Sequence, residues 1–464
     1  MGDTQKGNTA FKENKMGVMP IQKLIVNMSV PMMISMLVQA LYNIVDSIFV
    51  AQISEDALTA VTLAFPLQNL MIAVAAGTGV GVNALLSKAL GAREFKRSDK
   101  AANTAVLLAL LSYVVFAILG LTITNSFIRS QTGDTSIIQY GDAYLGIVMT
   151  LSFGSFLQIT FERLLQSTGQ TFYSMVSQLT GAIINIIMDP IMIFGLVGFP
   201  KLGVAGAAYA TVIGQIIASM VGLTLNLRLN HEIHLSLQSI FQPDFSIIRR
   251  IYYVGIPSIL MMSIGSVMTY LMDLILIAFS STATAVFGVY FKLQSFFFMP
   301  VFGLNNGLIP VLAFNLGARH KRRIKKALKF ALILAVCVML CGTLTFELIP
   351  GTLLSLFNAS AEMKRMGIIA LRIIALHFPI AACGIVMGSI FQAFSKSFYS
   401  LLVSLGRQLV ALIPAAWLLS LTGNVNHVWW CFLIAEGVSF TLSLTFFRKV
   451  YRTVVEPLPD DEVE

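Results

Sequence analysis

The chain has 464 residues, of which 56% are hydrophobic and 11% are charged, and its formal net charge is +9. A soluble domain carries about 25% charged residues, so this composition excludes a protein that exposes most of its surface to water. Uncharged stretches near the roughly 20 residues that cross the hydrocarbon core of a bilayer recur along the chain, and the alternation typical of barrel strands is absent. The composition therefore predicts an all-α polytopic membrane protein.

The apolar segments follow one another with short polar connections. Twelve of them are predicted to span a membrane, at approximately 24–50, 57–83, 102–124, 141–162, 172–197, 203–227, 250–279, 284–312, 327–349, 366–391, 398–420 and 427–447. The corresponding organisation is a tail at 1–23, an N-terminal lobe at 24–228, a linker at 229–249, a C-terminal lobe at 250–450 and a second tail at 451–464. Each lobe is predicted to contain six spans.

Lysine and arginine are distributed unequally between the two sides. The side that bears both tails also carries the basic segments 88–100 and 319–329 and the linker. The connections on the opposite side contain only Arg129, Lys201, Lys364 and Arg365. Because cytoplasmic loops carry the excess of Lys and Arg, we predict a multi-pass protein of the cell membrane with both termini cytoplasmic. This bias explains the net charge, so we expect the lipid bilayer and small molecules as partners, no nucleic acid, and a monomer.

A repeat relates the two halves of the chain. Four motifs recur in the same order at one constant offset in residue number, 319 − 93 = 226. The pairs are Leu90-Gly91-Ala92-Arg93 with Leu316-Gly317-Ala318-Arg319, Phe172-Tyr173-Ser174 with Phe398-Tyr399-Ser400, Gln166 with Gln392, and Pro31 with Pro257. Because each half has an even number of spans, both halves have the same orientation in the membrane. The predicted pseudo-two-fold axis therefore runs along the membrane normal, with a cleft between the lobes.

Two acidic residues lie inside predicted spans at matched depth. Asp46 is about five residues before the outer end of its span and Asp189 about eight, so both lie on the order of 10 Å below the outer surface. A charge at the centre of a transmembrane helix costs about 2.5–3.5 kcal/mol on insertion scales, so these acids require a function or a partner. Polar neighbours at similar depth are Tyr42, Asn43, Asn185 and Thr211.

These residues predict an ion-coupling cluster. One acid would cycle between protonated and ionised forms, or the oxygens of Asp46 and Asp189 would bind Na⁺. The alternative is that both acids only form hydrogen bonds to neighbouring helices. We expect no cofactor other than the coupling ion, H⁺ or Na⁺, and no other metal site.

Several motifs resemble those of one transporter family. They are Leu41-Tyr42-Asn43-Ile44-Val45-Asp46, Gly91-Ala92-Arg93, Asn185-Ile186-Ile187-Met188-Asp189-Pro190 and Gly203-Val204-Ala205-Gly206-Ala207-Ala208. Over residues 20–450 the chain resembles the multidrug and toxic compound extrusion (MATE) family. The resemblance implies a V-shaped pair of six-helix lobes that exports amphipathic, mostly cationic compounds in exchange for H⁺ or Na⁺.

The branches of this family differ in the position of their coupling acids. One branch carries acids in the seventh span and after the tenth, where this chain has the acid-free segments 263–267 and 393–397. The sequence instead resembles the branch whose coupling site lies wholly in the N-terminal lobe. The resemblance therefore assigns coupling to Asp46 and Asp189.

The C-terminal half differs in its ionisable residues. Asp273 is one position away from the repeat equivalent of Asp46 (273 − 46 = 227), whereas Asp189 corresponds to Ala415 (415 − 189 = 226). Lys292 lies at a depth similar to that of Asp273, so we expect a structural ion pair, with a substrate or gating role as the alternative. The remaining ionisable residues, expected to be paired or to face a cavity, or for the histidine to be satisfied within its helix, are Arg372, Arg407, Glu436 and His377.

Flexible thioethers and aromatic faces suit a promiscuous pocket for planar cations. The predicted substrate-cavity residues are Met261, Met268, Gln294 and Phe298, and packing or contact with lipid is the alternative for each of them.

Two other classes of function remain as alternatives to antiport. A flippase for a lipid-linked oligosaccharide or a related lipid should line its cavity with several cations, and the only candidates are Lys292, Arg372 and Arg407. A membrane-embedded enzyme would need a catalytic or metal-binding constellation at one depth, and none is visible in the sequence. We therefore expect a transporter without enzymatic activity.

Overall fold

The structure is a computed structural model that describes residues 13–357 and 359–459. The first twelve residues of the predicted N-terminal tail and the last five of the C-terminal tail lie outside the described residues. Within the described ranges the secondary structure is helical, without strands. Ten helices are long and apolar enough to cross a membrane, and two pairs of helices, bent by 48° and 46°, bring the number to twelve when each pair forms one span. The predicted twelve-span, all-α fold is confirmed.

The spans of the N-terminal lobe are α1 (Ile21–Ala51), α2 (Glu55–Gly91), α3 (Phe95–Thr122), α4 (Thr135–Thr150 with Phe153–Ser167), α5 (Thr171–Phe194) and α6 (Val204–Leu229). Those of the C-terminal lobe are α7 (Phe245–Ile277), α8 (Ser281–Gly317), α9 (Lys321–Leu348), α10 (Ala361–Ala375 with Phe378–Ala393), α11 (Ser397–Leu405, π-helical Gly406–Leu412 and Ile413–Ser420) and α12 (Cys431–Val450). Short helices lie at Lys15–Val18, Thr124–Arg129, Leu237–Ile240, Pro350–Ser355, Val425–Val428 and Tyr451–Val455, the last of them π-helical.

The repeat is visible in how the helices begin. Ser54 caps α2 by accepting a hydrogen bond from the Ala57 amide, and Ser280 caps α8 from Ala283 in the same way. The two serines keep the offset of the repeat (280 − 54 = 226). A serine at this position satisfies one of the backbone N–H groups that a helix start leaves unpaired. The equivalent spans α2 and α8 therefore start with the same local chemistry.

The lobes meet through α1 against α8 and through α2 against α7, which are equivalent pairs under the repeat. Glycines let the backbones approach. A Cβ added at Gly77 would lie 2.8 Å from the Ile259 nitrogen, and one at Gly303 would lie 2.6 Å from the Met33 nitrogen. The glycines (303 − 77 = 226) and the residues they face (259 − 33 = 226) both keep the offset of the repeat. The predicted pseudo-two-fold relation is thus present in the packing as well as in the sequence.

The close contacts between lobes lie in the halves of the spans nearer the termini. Every residue of α2 from Gly77 to Gly91 is buried except Lys88. The equivalent segment of α8, from Gly303 to Leu316, is buried apart from the half-buried Asn305 and Asn306. The cavity described below lies between the lobes, next to this closed end.

Candidate functional site

Asp46 of α1 and Asp189 of α5 bring their carboxyl groups close enough to share a hydrogen bond. Asp189 is fully buried, and within the described chain no donor reaches either of its carboxylate oxygens. Asp46 Oδ1 is also buried without a donor. Two ionised carboxylates in this arrangement repel one another, so the pair requires a bound proton or a cation to be electrostatically satisfied.

The local sequence explains the position of Asp189. Pro190 has no N–H to donate to the Ile186 carbonyl, so the helical hydrogen-bond ladder is interrupted beside the acid. One turn before Asp189, Asn185 occupies the same face of α5. The helix ends at Gly195, whose φ of 73° is the left-handed conformation that favours glycine at a helix C-terminus.

Asn185 connects this face to α6. Its Nδ2 donates to Thr211 Oγ1 at 3.2 Å, and both residues are buried. The approach of the two helices is close because Gly181 and Gly214 face each other, and a Cβ at Gly214 would lie 2.7 Å from the Gly181 carbonyl oxygen. Asn185 Oδ1 is buried and, like the acid oxygens, has no donor among the described residues.

The first helix contributes Tyr42 but not its neighbour. Tyr42 lies one turn from Asp46, is half-buried and lines the cavity between the lobes. Asn43 is exposed and does not line that cavity. Successive helix residues are rotated by about 100°, which turns Asn43 away from the side chain of Tyr42. The prediction that Asn43 belongs to the cluster is therefore corrected.

Tyr144, in the first helix of α4, is a neighbour of the acid pair that the sequence did not reveal. Its side chain is buried and lies within electrostatic range of Asp46, Asp189 and Tyr42. No motif or spacing links it to the acids, because its position depends on how α4 packs against α2.

A cavity of about 410 Å³ between the lobes adjoins this cluster. The N-terminal lobe supplies most of the polar lining, from Gln39, Tyr42, Gln158, Glu162, Arg163, Gln166, Gln178, Asn185, Thr211 and Gln215. The C-terminal lobe supplies Ser258, Met261, Met262, Met299, Phe302, Asn305, Asn306 and Gln392. Tyr42, Asn185 and Thr211 belong to both the cavity lining and the acid cluster, so the two are physically connected.

Glu162 is an acidic lining residue that the sequence analysis missed. It is 7% exposed, accepts hydrogen bonds from Gln158 Nε2 at 3.0 Å and Ser177 Oγ at 3.5 Å, and forms no ion pair with any residue that the structure describes. The predicted span ended at residue 162, whereas α4 continues to Ser167. The spacing of Gln158, Glu162 and Gln166, four residues apart, marks one polar helix face and was the available signal.

Arg163, the next residue, bridges the lobes at the cavity wall. Its Nη1 donates to Gln166 Oε1 at 3.0 Å and, across the interface, to Asn306 Oδ1 at 3.4 Å. Gly79 makes room for the side chain, because a Cβ there would lie 2.6 Å from Arg163 Cγ. Within the described chain, Arg163 is the one cation in the cavity lining.

Of the four predicted substrate residues, only Met261 lines this cavity. Met268 is buried in the hydrophobic core, and Gln294 Oε1 accepts a hydrogen bond from the Tyr290 hydroxyl at 2.7 Å. Phe298 packs edge-on against Phe378, with 5.2 Å between ring centroids. These three side chains do not line the cavity, and their assignment to it is corrected.

The predicted ion pair between Asp273 and Lys292 does not form. Neither residue takes part in an ion pair within 13–357 and 359–459. Lys292 is exposed on α8, beside the buried Leu293. Equal depth fixes a height along the helix axis but not the direction around it, and α7 packs mainly on α2 whereas α8 packs mainly on α1.

Of the other ionisable residues predicted for the C-terminal lobe, Arg372, Arg407 and Glu436 form ion pairs, and none of the four, including His377, lines the cavity. Arg407 Nη1 contacts Glu436 Oε2 at 3.4 Å, with the carboxylate almost completely buried. Arg372 Nε donates to the Glu347 carbonyl at 3.2 Å and lies 3.9 Å from its carboxylate. The buried His377 ring nitrogen contacts the Ile374 carbonyl at 2.5 Å.

The Arg407–Glu436 pair is expected to stabilise the C-terminal lobe. Replacement of Arg407 by Gln leaves a buried carboxylate without its charge partner, so we expect a loss of roughly 3 kcal/mol in the free energy of unfolding. Replacing both residues by Gln should restore part of it. The matched control is Arg372→Gln, because the Arg372–Glu347 pair is largely exposed and is worth about 0–1 kcal/mol. Unfolding of the purified protein in denaturing detergent measures both, and equal losses would contradict the prediction.

Comparison with known proteins finds transporters that are similar to this chain over most of its length. The family described as MatE matches residues 31–191 and 257–418. The chain is 25% identical to the multidrug export protein MepA of Staphylococcus haemolyticus over 426 residues, which cover 91% of this chain and 92% of that protein. It is 28% identical to an FAD transporter of Shewanella oneidensis over 413 residues, covering 86% and 88%.

A solved structure described as the outward-facing conformation of a multidrug resistance MATE family transporter superposes with a TM-score of 0.90, at 26% identity, covering 96% of this chain and 99% of that one. The starts of the two segments matched by the family keep the offset of the repeat (257 − 31 = 226). Because those segments cover more than half of the chain, this protein belongs to the MATE family of multidrug efflux transporters.

Proposed function

We propose that the protein exports amphipathic, mostly cationic compounds across the cell membrane in exchange for H⁺ or Na⁺, with both termini in the cytoplasm. The observation that carries the coupling is the contact between Asp46 and Asp189, whose buried oxygens lack donors next to a cavity between the lobes. A proton or a sodium ion between the carboxylates removes their repulsion.

Coupling requires that binding of the ion changes the affinity for the substrate, and that binding of the substrate changes the affinity for the ion. Tyr42, Asn185 and Thr211 line the cavity and also neighbour the acids. When the ion leaves, the two carboxylates repel, and the helices α1 and α5 that carry them are pushed apart. Because α1 also packs against α8, such a shift is transmitted to the interface between the lobes. Exchange then follows because each ligand stabilises a different arrangement of the lobes.

The cavity chemistry supports a cationic substrate. Met261, Met262, Met299 and Phe302 offer polarizable, adaptable apolar contacts. Glu162 offers a buried carboxylate that no lysine or arginine of the described chain neutralises by an ion pair. An amphipathic cation satisfies both surfaces.

Transport in proteoliposomes tests the proposed function. Purified protein is reconstituted with a fluorescent amphipathic cation, and a pH gradient or a Na⁺ gradient is imposed in turn. We expect one of the two gradients to drive accumulation of the cation against its own gradient, and that gradient identifies the coupling ion. Failure of both gradients, in vesicles where passive counterflow of the cation is intact, would overturn the antiport mechanism.

Replacement of Glu162 by Gln is expected to weaken binding of a monocationic substrate about tenfold, close to 1.4 kcal/mol. The affinity of the variant for an uncharged analogue of the same substrate should be unchanged, because the glutamine amide keeps the shape of the glutamate carboxylate. The matched control is Glu362→Gln, at an exposed position outside the cavity. Fluorescence titration of the purified variants measures these affinities. Equal loss of affinity for the charged and the uncharged ligand would contradict an electrostatic role.

The presence of Arg163 in the lining favours one other substrate class, an anionic nucleotide such as the substrate named for the Shewanella relative. A lipid-linked oligosaccharide flippase has less support. Lys292, Arg372 and Arg407 do not line the cavity, which leaves Arg163 as the one cation of the lining that the structure describes, where such a lipid needs several. The same vesicles loaded with FAD distinguish the nucleotide class from the cationic class.

A further inference from the structure

A short segment before α1, residues 14–19, crosses the seam between the lobes; we name it the strap. Its helix, Lys15–Val18, is capped by Asn14 Oδ1, which accepts from the Met16 amide at 2.9 Å. Asn14 Nδ2 donates to the Thr168 carbonyl and to Glu232 Oε1, both at 3.0 Å. Thr168 follows α4, and Glu232 lies in the linker after α6. One edge of the strap is therefore fixed to the N-terminal lobe.

The opposite edge is fixed to the C-terminal lobe. Asn315 Nδ2 and Arg323 Nη2 each donate to the Met16 carbonyl at 3.1 Å, and Arg323 Nη2 also donates to the Met19 carbonyl at 2.7 Å. The Met16 side chain is completely buried. Gly17 lies against the Phe314 ring, where a Cβ would be 3.1 Å from the nearest ring atom. These partners belong to the end of α8 and the start of α9.

The strap is mechanically separate from the helix that follows it. Met19 is extended (φ −67°, ψ 141°), and Pro20 stands between it and the first residue of α1. Proline lacks an N–H and disfavours a helical conformation in the residue before it. The strap helix therefore ends before α1 begins, and it can leave its site without unwinding a membrane span.

The strap forms hydrogen bonds to both lobes. The two lobes must separate at this end if the cavity is to open towards the termini. When the C-terminal lobe moves away from the N-terminal lobe at this end, either the two bonds of Asn14 or the three bonds to Met16 and Met19 break. Met16 loses its burial in the same step. An unmade buried hydrogen bond and an exposed apolar side chain both oppose that movement.

We propose that the strap is a latch that holds the lobes closed at the end bearing the termini and is released each time the cavity opens to that side. This device is additional to the proposed ion exchange. The distances between the lobes that test it are measured in the absence of substrate and gradient, so this readout does not depend on the coupling ion or on the substrate class.

The test uses spin labels on the full-length protein. After replacement of Cys337, Cys341, Cys383 and Cys431 by serine or alanine, the exposed Lys96 of α3 and Lys326 of α9 are changed to cysteine and labelled. Pulsed electron paramagnetic resonance then gives the distribution of distances between the lobes. In the Asn14→Ala/Met16→Ala variant we expect the ratio of separated to closed molecules to rise about tenfold.

The matched control is Val18→Ala in the same strap helix, because the Val18 side chain is 54% exposed and should leave the distribution unchanged. A second experiment joins Met16→Cys to Asn315→Cys as a disulfide by mild oxidation with copper phenanthroline, because both positions are buried and in contact. We expect it to hold the closed distances, to stop transport turnover, and to be reversed by reductant, even if the alanine variant folds poorly. Unchanged distances in a folded alanine variant, or full turnover of the cross-linked protein, would overturn the latch.

Discussion

Replacement of Asp189 by Asn is expected to reduce gradient-driven export by about a hundredfold, the scale set by loss of a positioned proton-transfer group. The amide keeps the shape of the carboxylate but can neither exchange a proton at working pH nor contribute charge to a sodium site. It also donates to the neighbouring Asp46 and relieves the repulsion between the two side chains. Folding should therefore be retained or improved while coupling is lost. Proteoliposome transport and thermal unfolding of the same preparation separate these two effects.

The matched control is Asp273→Asn in α7. Asp273 is close to the repeat equivalent of Asp46, but it forms no ion pair among the residues that the structure describes, so gradient-driven rates should remain within about twofold. The double variant Asp46→Asn/Asp189→Asn should be no worse than Asp189→Asn alone, because groups that act as a unit show non-additive losses. Normal coupling in Asp189→Asn would refute the assignment of the acid pair.

The two lobes differ in how their buried acids are neutralised, and this difference explains why the loss of coupling is expected for the N-terminal acids. Asp189 corresponds to Ala415 in the second repeat, on α11, where the preceding segment Gly406–Leu412 is π-helical. That segment carries Arg407, which neutralises Glu436. In the C-terminal lobe a buried acid is thus paired with a cation, whereas in the N-terminal lobe two acids face each other. Only the second arrangement changes its electrostatic balance when a small cation binds or leaves.

The sequence was sufficient for the properties that depend on position along a helix. Span number follows from the length of apolar runs, the two-lobe arrangement follows from the constant offset between repeated motifs, and the equal depth of Asp46 and Asp189 makes a shared site possible. Each of these properties depends only on position along the sequence, so the sequence is enough to predict it.

Properties that depend on direction around a helix, or on packing between helices, were not predictable in this way. Lys292 has the depth of Asp273 but faces outward, and Asn43 is one residue away from a cavity-lining position and is exposed. Glu162 escapes prediction for a different reason: a charged residue near the end of an apolar run indicates the membrane boundary, whereas α4 continues past it to Ser167. The free energy that burial of its carboxylate costs is offset by hydrogen bonds from Gln158 and Ser177. Ser177 lies on the next helix, and only the fold brings it close to Glu162.

Close backbone packing between α2 and α8, at the end of the molecule that bears the termini, predicts a second large effect, on the separation of the lobes. Gly91 ends α2 and Gly317 ends α8, and they are equivalent under the repeat (317 − 91 = 226). A Cβ added at Gly91 would collide with the Phe314 carbonyl, and one at Gly317 with the Lys88 carbonyl, which are themselves equivalent positions (314 − 88 = 226). Since the obstacles are backbone atoms, no change of rotamer relieves the overlap.

The Gly91→Ala/Gly317→Ala variant is therefore expected to favour separation of the lobes at this end. Overpacking costs about 1–3 kcal/mol, so the ratio of separated to closed molecules should rise between about fivefold and a hundredfold. The spin-label pair on Lys96→Cys and Lys326→Cys reports this ratio. The control is Gly288→Ala in α8, where an added Cβ meets no atom of the described chain within 4 Å beyond the adjoining backbone of its own helix.

The repeat adds a further constraint to this result. Because the two contacts are equivalent, Gly91→Ala and Gly317→Ala should each shift the ratio by a similar factor when made singly. An effect confined to one of them would mean that the lobes can separate without relieving the other contact, which contradicts a rigid-body opening that is symmetric with respect to the pseudo-two-fold axis. An unchanged ratio in the double variant would contradict the prediction outright, since both backbones would have adjusted locally while the lobes stayed closed.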